Sequence, residues 1–412
     1  MKLTRSTASP LNVAVILPSD FEERPTGGML TAVKNFLKST KDYPFNITLF
    51  GLCWKPEEKV GHVYSRPIYG VSYPFIPLCK LTELEVNGHR PRIPLRAKMF
   101  WSCLRNRYLV TQRSFDVLYL HAPELFPLMP AQRGRIVYHA HGTEEWGAQY
   151  SRYRICRTSA FRRLYTTMIN QIGTRADQFV CLDQECYETY RSRWPERAQD
   201  IHLFWGTADA ELFKPLSQEV RSATKNRYGV PPNSRVLLYV GRLTLLKGVH
   251  LIIEAMTRLR RVRSDIFLLV VGNGEEGDSL RKQVDAANLG SCVRFLGKLP
   301  HEELPGLYNS ADLSIVASEQ ESLCFTILES LACGTPVVST RVGIAPHVIH
   351  DGRSGFLLEN RTADELNRGI EEGLKLPVKV REDCVRFAQS LGQPSVSVCD
   401  LILGLGSYRG HA

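Results

Sequence analysis

Short apolar runs of strand length alternate with stretches of helical period along most of the chain. Near the start, NVAVILP is followed by MLTAVKNFLKS, where Leu30, Val33 and Leu37 share one side of a helix. ITLFGLC, DVLYLHAP, RIVYHAHG, DQFVCLD and IHLFWG then recur as buried strands. From Arg235 the alternation restarts with cleaner periodicity. This pattern predicts parallel sheets covered by helices on both faces, with ligands at the carboxyl ends of the strands. DAELFKPLS reads as a linker, so the expected division is 1–212, 213–380 and a tail at 381–412. Gly392 and Pro394 are expected to interrupt any helix in that tail.

The most informative stretch is EQESLCFTILESLACGTPVVS, Glu319 to Ser339. DLSIVAS before it is a short buried strand, and FTILESLAC has helical spacing, with Ile327, Leu328, Leu331 and Ala332 on an apolar face. Ser322 is the expected cap of that helix. The free backbone N–H groups around Cys324, Phe325 and Thr326 then suit a phosphate. Glu321 and Glu329 would repel a phosphate if they touched it, so they are better matched to hydroxyls. A sugar nucleotide offers both groups.

These residues resemble the Glu-x7-Glu signature of retaining, GT-B-fold glycosyltransferases (the family 4-like, group 1 enzymes). The resemblance extends through VLLYVGRLTLLKGVHLIIEAM, IFLLVVGNGEE, VRFLGKLPHEELPGLYNSAD and GTPVVSTRVGIAPHVIHDGRSGFLLE, over about residues 234–370. It implies an α/β fold of two Rossmann-like, doubly wound parallel-sheet domains facing across a cleft. By the same resemblance Arg242 and Lys247 are the cations for the donor diphosphate, and Gly272 and Leu299 fall among the donor-binding positions. Glu329 corresponds to the ribose carboxylate, Glu321 to the one near the sugar hydroxyls, and Gly27 and Gly28 to a loop approaching the diphosphate. His141 matches a histidine facing the sugar and acceptor. His139 shares its strand face, but no third ligand accompanies the pair, so no metal site is expected. Glu144 and Glu145 follow as candidates for acceptor hydroxyls or for solvent. The chain departs from the resembled pattern at Ser322 and Cys324, where glycine is usual, which implies a reshaped sugar pocket.

Charge adds a second theme. Residues 1–215 hold 29 Lys+Arg against 20 Asp+Glu, a net +9, while the rest of the chain is near neutral. Two patches, His89 to Tyr108 and Ser151 to Met168, interleave Arg with Trp, Phe, Tyr and Leu. That mixture suits an anionic membrane surface or a solvated helix face, and no nucleic-acid motif accompanies it. The hydrophobic fraction is 43%, and no run reaches the roughly 18 apolar residues of a membrane span. MKLTRSTASP lacks the core and cleavage site of a signal peptide. Eleven cysteines without a Cys-x2-Cys pair read as reduced thiols, which fits a cytoplasmic protein working peripherally at the inner membrane face.

The reaction implied by the resemblance is transfer of a sugar, with retention, from a nucleotide diphosphate donor to an acceptor hydroxyl. The acceptor is a glycan, a lipid-linked molecule or a small molecule, as in polysaccharide or glycolipid assembly. No metal or other cofactor is expected, since fixed cations already face the leaving group. GKLPHEEL offers Pro300 before any carboxylate for guanine N–H groups, which leans the donor toward UDP. A GDP-mannose-dependent mannosyltransferase and a non-catalytic sugar-nucleotide-binding regulatory subunit stand beside this reading.

Overall fold

The computed structural model describes residues 9–22, 28–82, 95–131, 134–143, 158–391 and 397–404. Gly27, Glu144, Glu145 and parts of both Arg–aromatic patches lie outside those residues. The chain divides into two compact units, Met1–Phe204 with Pro394–Ala412, and Trp205–Gln393.

The first unit is built on eight strands: β1 (Leu11–Ile16), β2 (Phe45–Cys53), β3 (Tyr64–Ile68), β4 (Val71–Lys80), β5 (Val117–Leu120), β6 (Arg135–Ala140), β7 (Gln178–Cys181) and β8 (Ile201–Leu203). Their order is β3-β4-β2-β1-β5-β6-β7-β8, with every neighbouring pair parallel except β3 and β4. Alternate residues of β1 enter different cores, Ala14 and Ile16 on one face, Val13 and Val15 on the other. Burial on both faces explains why the parallel strands read as continuous apolar runs. The helix Gly28–Ser39 supplies Leu30, Val33, Phe36 and Leu37 to the second of these cores.

The chain's last described helix, Val398–Leu403, joins that same core through Val398, Cys399, Leu401 and Ile402. Ser397 and Asp400 close a capping box at its start, and the Tyr43 hydroxyl reaches both side chains. The preceding helix, Val380–Ser390, packs instead in the second unit against the helix Phe325–Ala332.

The second sheet contains β9 (Arg235–Val240), β10 (Ile266–Val271), β11 (Val293–Gly297), β12 (Leu313–Val316), β13 (Val337–Thr340) and β14 (Gly355–Leu358). It is parallel throughout, in the order β11-β10-β9-β12-β13-β14. Counted within the unit this is 3-2-1-4-5-6, so the order reverses between β9 and β12. That reversal opens a crevice at the carboxyl ends of those two strands, where such sheets bind ligands. Phe213 is buried in this core, with Ala208 and Leu212 packed on it. The linker segment groups with the second unit, Trp205–Gln393.

One strand pair escaped the sequence reading. β4 contains Pro74 and Pro77 yet lies between β3 and β2. A proline argues against an interior strand because it donates no ladder hydrogen bond. Here the β2–β4 register shifts between Gly51 and Leu52, and the Pro77 carbonyl accepts from the Gly61 N–H at 3.0 Å.

Candidate active site

The corner after β9 is shaped by glycine. Gly272, just past β10, has φ +129, and a Cβ there would lie 1.8 Å from the Gly241 carbonyl oxygen. Only glycine allows that approach. The Tyr239 hydroxyl donates to the Arg242 carbonyl at 2.8 Å, fixing the next residue. The Arg242 side chain is exposed and has no carboxylate partner among the described residues.

A 3-10 turn, Leu245–Lys247, leads to Gly248, whose left-handed conformation starts the helix Val249–Val262. A Cβ at Gly248 would meet the Ala317 carbonyl oxygen at 2.1 Å. Further bonds join this loop to the one after β12. The Glu319 N–H donates to the Leu246 carbonyl at 2.8 Å, and Arg361 donates to the carbonyls of Ala317 and Leu245 at 2.9 and 3.0 Å. The two loops flanking the strand-order reversal are thus one assembly.

As a result, the Lys247 ammonium donates to Glu321 Oε1, which also accepts from the Ser318 hydroxyl at 2.8 Å. The Lys247 and Glu321 side chains are only 19% and 17% exposed. A sheltered ammonium–carboxylate contact is charge-assisted and stronger than a surface pair.

The helix Phe325–Ala332 begins differently from expectation. Its N-cap is Cys324, without a side-chain capping bond, so Ser322 does not cap it. Cys324 has φ +68, a left-handed conformation that favours glycine, at one of the two positions where the resembled pattern has glycine. Its Sγ lies 3.3 Å from the Thr326 hydroxyl, and Phe325 is buried beside it. Burial, then the charge of Glu321, pushes the Cys324 thiol up to about 12, so it stays protonated at neutral pH.

Glu329 is buried at the centre of that helix. Its Oε1 lies 2.9 Å from His301 Nε2, and its Oε2 accepts from the Tyr308 hydroxyl at 2.9 Å. A carboxylate offers about four acceptor positions, so two are left for a ligand's hydroxyls. Burial pulls the His301 pKa down, but its hydrogen bond to Glu329 and the charges of Glu329, Glu302 and Asp209 outweigh burial and raise it. Leu299, two residues before His301, is half-buried against the core. The structure therefore gathers Arg242, Lys247, Gly272, Glu321, Cys324, Phe325, Thr326, Glu329 and Leu299 within the second unit.

The remaining candidates belong to the first unit. Gly28 is exposed at the start of its helix. His141 follows β6 and is half-buried, with its Nε2 3.1 Å from Nδ1 of His121, which follows β5. His139 lies in β6 and stacks on His141. His121 is the third imidazole that the sequence reading lacked. It sat in the quoted run DVLYLHAP, but only the pairing of β5 with β6 brings it beside His139. His301, Tyr308 and Ser318 were likewise missed as partners of the two glutamates.

Residues 220–391 match the family Glycosyl transferases group 1. The chain is 38% identical to a D-inositol 3-phosphate glycosyltransferase of Corynebacterium jeikeium over 159 residues, 37% of this chain and 38% of the relative. It is 28% identical to the GDP-mannose-dependent monoacylated alpha-(1-6)-phosphatidylinositol monomannoside mannosyltransferase of Corynebacterium glutamicum, over 89% of each chain. Alignments with the first curated relatives span only 38% to 55% of their length. Among solved structures, sucrose-phosphate synthase from Thermosynechococcus elongatus aligns with a TM-score of 0.75 over 96% of this chain and 97% of that one, at 19% identity. The chain carries a glycosyl transferases group 1 domain, and its two parallel-sheet α/β units have the GT-B fold.

Proposed function

We propose that this chain is a retaining glycosyltransferase that moves a sugar from a nucleotide diphosphate to an acceptor hydroxyl, with UDP-sugars favoured. The observation that carries this reading is the Lys247–Glu321 contact where the second sheet reverses its strand order, with Arg242 exposed in the same loop after β9. Arg242 and Lys247 stabilise the charge that grows on the leaving diphosphate. Glu321 holds Lys247 and addresses the sugar, while Glu329 binds ribose. His141 faces the sugar and acceptor. Retention follows from front-face attack, with the departing phosphate taking the acceptor proton.

The lean to UDP rests on the segment after β11. Leu299 and Pro300 come before any carboxylate, and Glu303 is already paired with Arg227 and Tyr228. The relative named for GDP-mannose supports the other base, so the decisive experiment is a panel of UDP- and GDP-sugars. Nucleotide diphosphate release that depends on an acceptor, with the donor's anomeric configuration kept in the product by NMR, is expected. Inversion in the product ends the retaining reading.

Fixed cations make a metal unnecessary for the diphosphate. Transfer is expected to survive EDTA, and its loss with rescue by magnesium or manganese overturns that part. A second reading has its own support, because Lys247 and both oxygens of Glu329 are engaged by protein groups. Donor binding without release, across the panel, favours a regulatory sugar-nucleotide-binding subunit.

A further inference from the structure

Three imidazoles converge in the first unit. Parallel pairing of Leu120 with Tyr138 sets His121, one residue past β5, beside His139. His141, one residue past β6, stacks on His139 with ring centroids 4.6 Å apart. One nitrogen from each of the three lies within 4.8 Å of the others. His121 Nδ1 and His141 Nε2 are 3.1 Å apart. Ligand nitrogens at zinc–nitrogen distances around a tetrahedral ion are separated by about 3.3 Å.

The hydrogen bonding around the cluster also suits a metal. His139 Nδ1 lies 2.6 Å from the Tyr119 hydroxyl, while its Nε2 is buried without a partner among the described residues. One nitrogen oriented by a neighbouring oxygen and the other left with a lone pair is the arrangement of a metal-ligating histidine. His121 Nε2 is also buried without a partner among the described residues. Both rings are almost wholly inaccessible, at 1% and 3% exposure for His121 and His139. A buried polar nitrogen left unpaired costs free energy, which a bound ion offsets at His139 directly.

We propose that His121, His139 and His141 bind one divalent ion of the zinc class. Three imidazoles without a carboxylate suit zinc or cobalt, whereas magnesium and calcium require oxygen ligands. Three protein ligands leave a fourth position for water or another molecule. An ion here engages His141, the residue that the proposed transfer assigns to the sugar side. Metal binding itself does not depend on that assignment.

The test uses the untagged full chain, stripped with EDTA and dialysed, and reads metal binding rather than transfer. Zinc alone is titrated against a chromogenic chelator, and cobalt alone is followed by its visible absorption. One equivalent of zinc and the intense bands of tetrahedral cobalt are expected. His121→Asn and His139→Gln should each weaken zinc binding at least about 100-fold, and Tyr119→Phe about 10-fold through the lost orienting contact. Thermal unfolding of the metal-free variants separates lost ligands from lost structure. Unchanged affinity in variants that unfold like the wild type overturns the site. If the variants do not fold, the wild type decides alone, and neither stoichiometric zinc nor tetrahedral cobalt bands there overturns it too.

Discussion

Lys247 and Glu321 are held by each other, so neither is an independent contributor. Arg242→Ala and Lys247→Ala are each expected to lower turnover by about 10²-fold, the loss typical of one donor to a developing anion. Combining Lys247→Ala with Glu321→Gln should cost less than the product of the two single losses, because the residues form one contact. Strictly multiplicative losses in steady-state kinetics contradict that unit. Glu329→Gln should weaken donor and free nucleotide diphosphate equally in calorimetry, since ribose is common to both. Its partner His301 adds a pH dependence. The folded-state pKa of His301 is raised, so its contribution to stability is full below the unfolded value of about 6.5 and fades as pH rises through the folded value. The thermal midpoint of the wild type should therefore fall, relative to His301→Gln, between about pH 6 and 8. Parallel pH profiles for the two proteins would remove the ion pair as a source of stability.

At the scale of elements, the test is whether the loops after β9 and β10 depend on the glycines where they meet. Gly272→Ala places a methyl group against the Gly241 carbonyl at positive φ, and should destabilise the second unit by more than about 1 kcal/mol. Gly290→Ala is the control, as a Cβ there meets nothing within 4 Å. Equal thermal midpoints for the two variants contradict the close approach. Much of this architecture was legible in the sequence. Short apolar runs and period-3.6 patterns report burial locally, and they revealed β1, β9 and β12 and the helix Phe325–Ala332. The β3–β4 pair was hidden because Pro74 and Pro77 signal against an interior strand. The partners of the candidate residues were hidden for another reason. His301 and Tyr308 lie 28 and 21 positions from Glu329, and Lys247 lies 74 from Glu321. Periodicity says which face is buried, but not which distant side chains meet there. Ser322 failed as a cap because the chain turns left-handed at Cys324, which a serine-based capping rule does not foresee.

At the scale of the whole molecule, residues 1–215 carry a net +9, and the described residues of the first unit expose both arginines and large apolar side chains. The helix Leu95–Asn106 presents Trp101 at 65% exposure and Leu104 at 42%, and Tyr108 follows at 48%. The helix Ser159–Arg175 exposes Leu164 at 58%, next to Arg162 and Arg163. Both helices pack on the 3-10 segment Pro123–Ala131, so they belong to the same face of the first unit's sheet. Among the described residues no helix is long and apolar enough to cross a membrane. We propose that this basic, aromatic surface rests on an anionic bilayer, close to a lipid-linked acceptor. Each interfacial cation contributes about 1 kcal/mol, and the apolar side chains add burial in the headgroup region. Co-sedimentation with liposomes should rise with the fraction of anionic lipid and fall with added salt, because the attraction is screened within a Debye length. Arg162→Gln with Arg163→Gln should reduce binding mainly at low salt. Trp101→Ser should reduce it at every salt concentration, since burial of the ring is not screened. Failure of the wild type to bind anionic liposomes at low salt excludes the membrane and points to a soluble acceptor carrying phosphate or carboxylate groups.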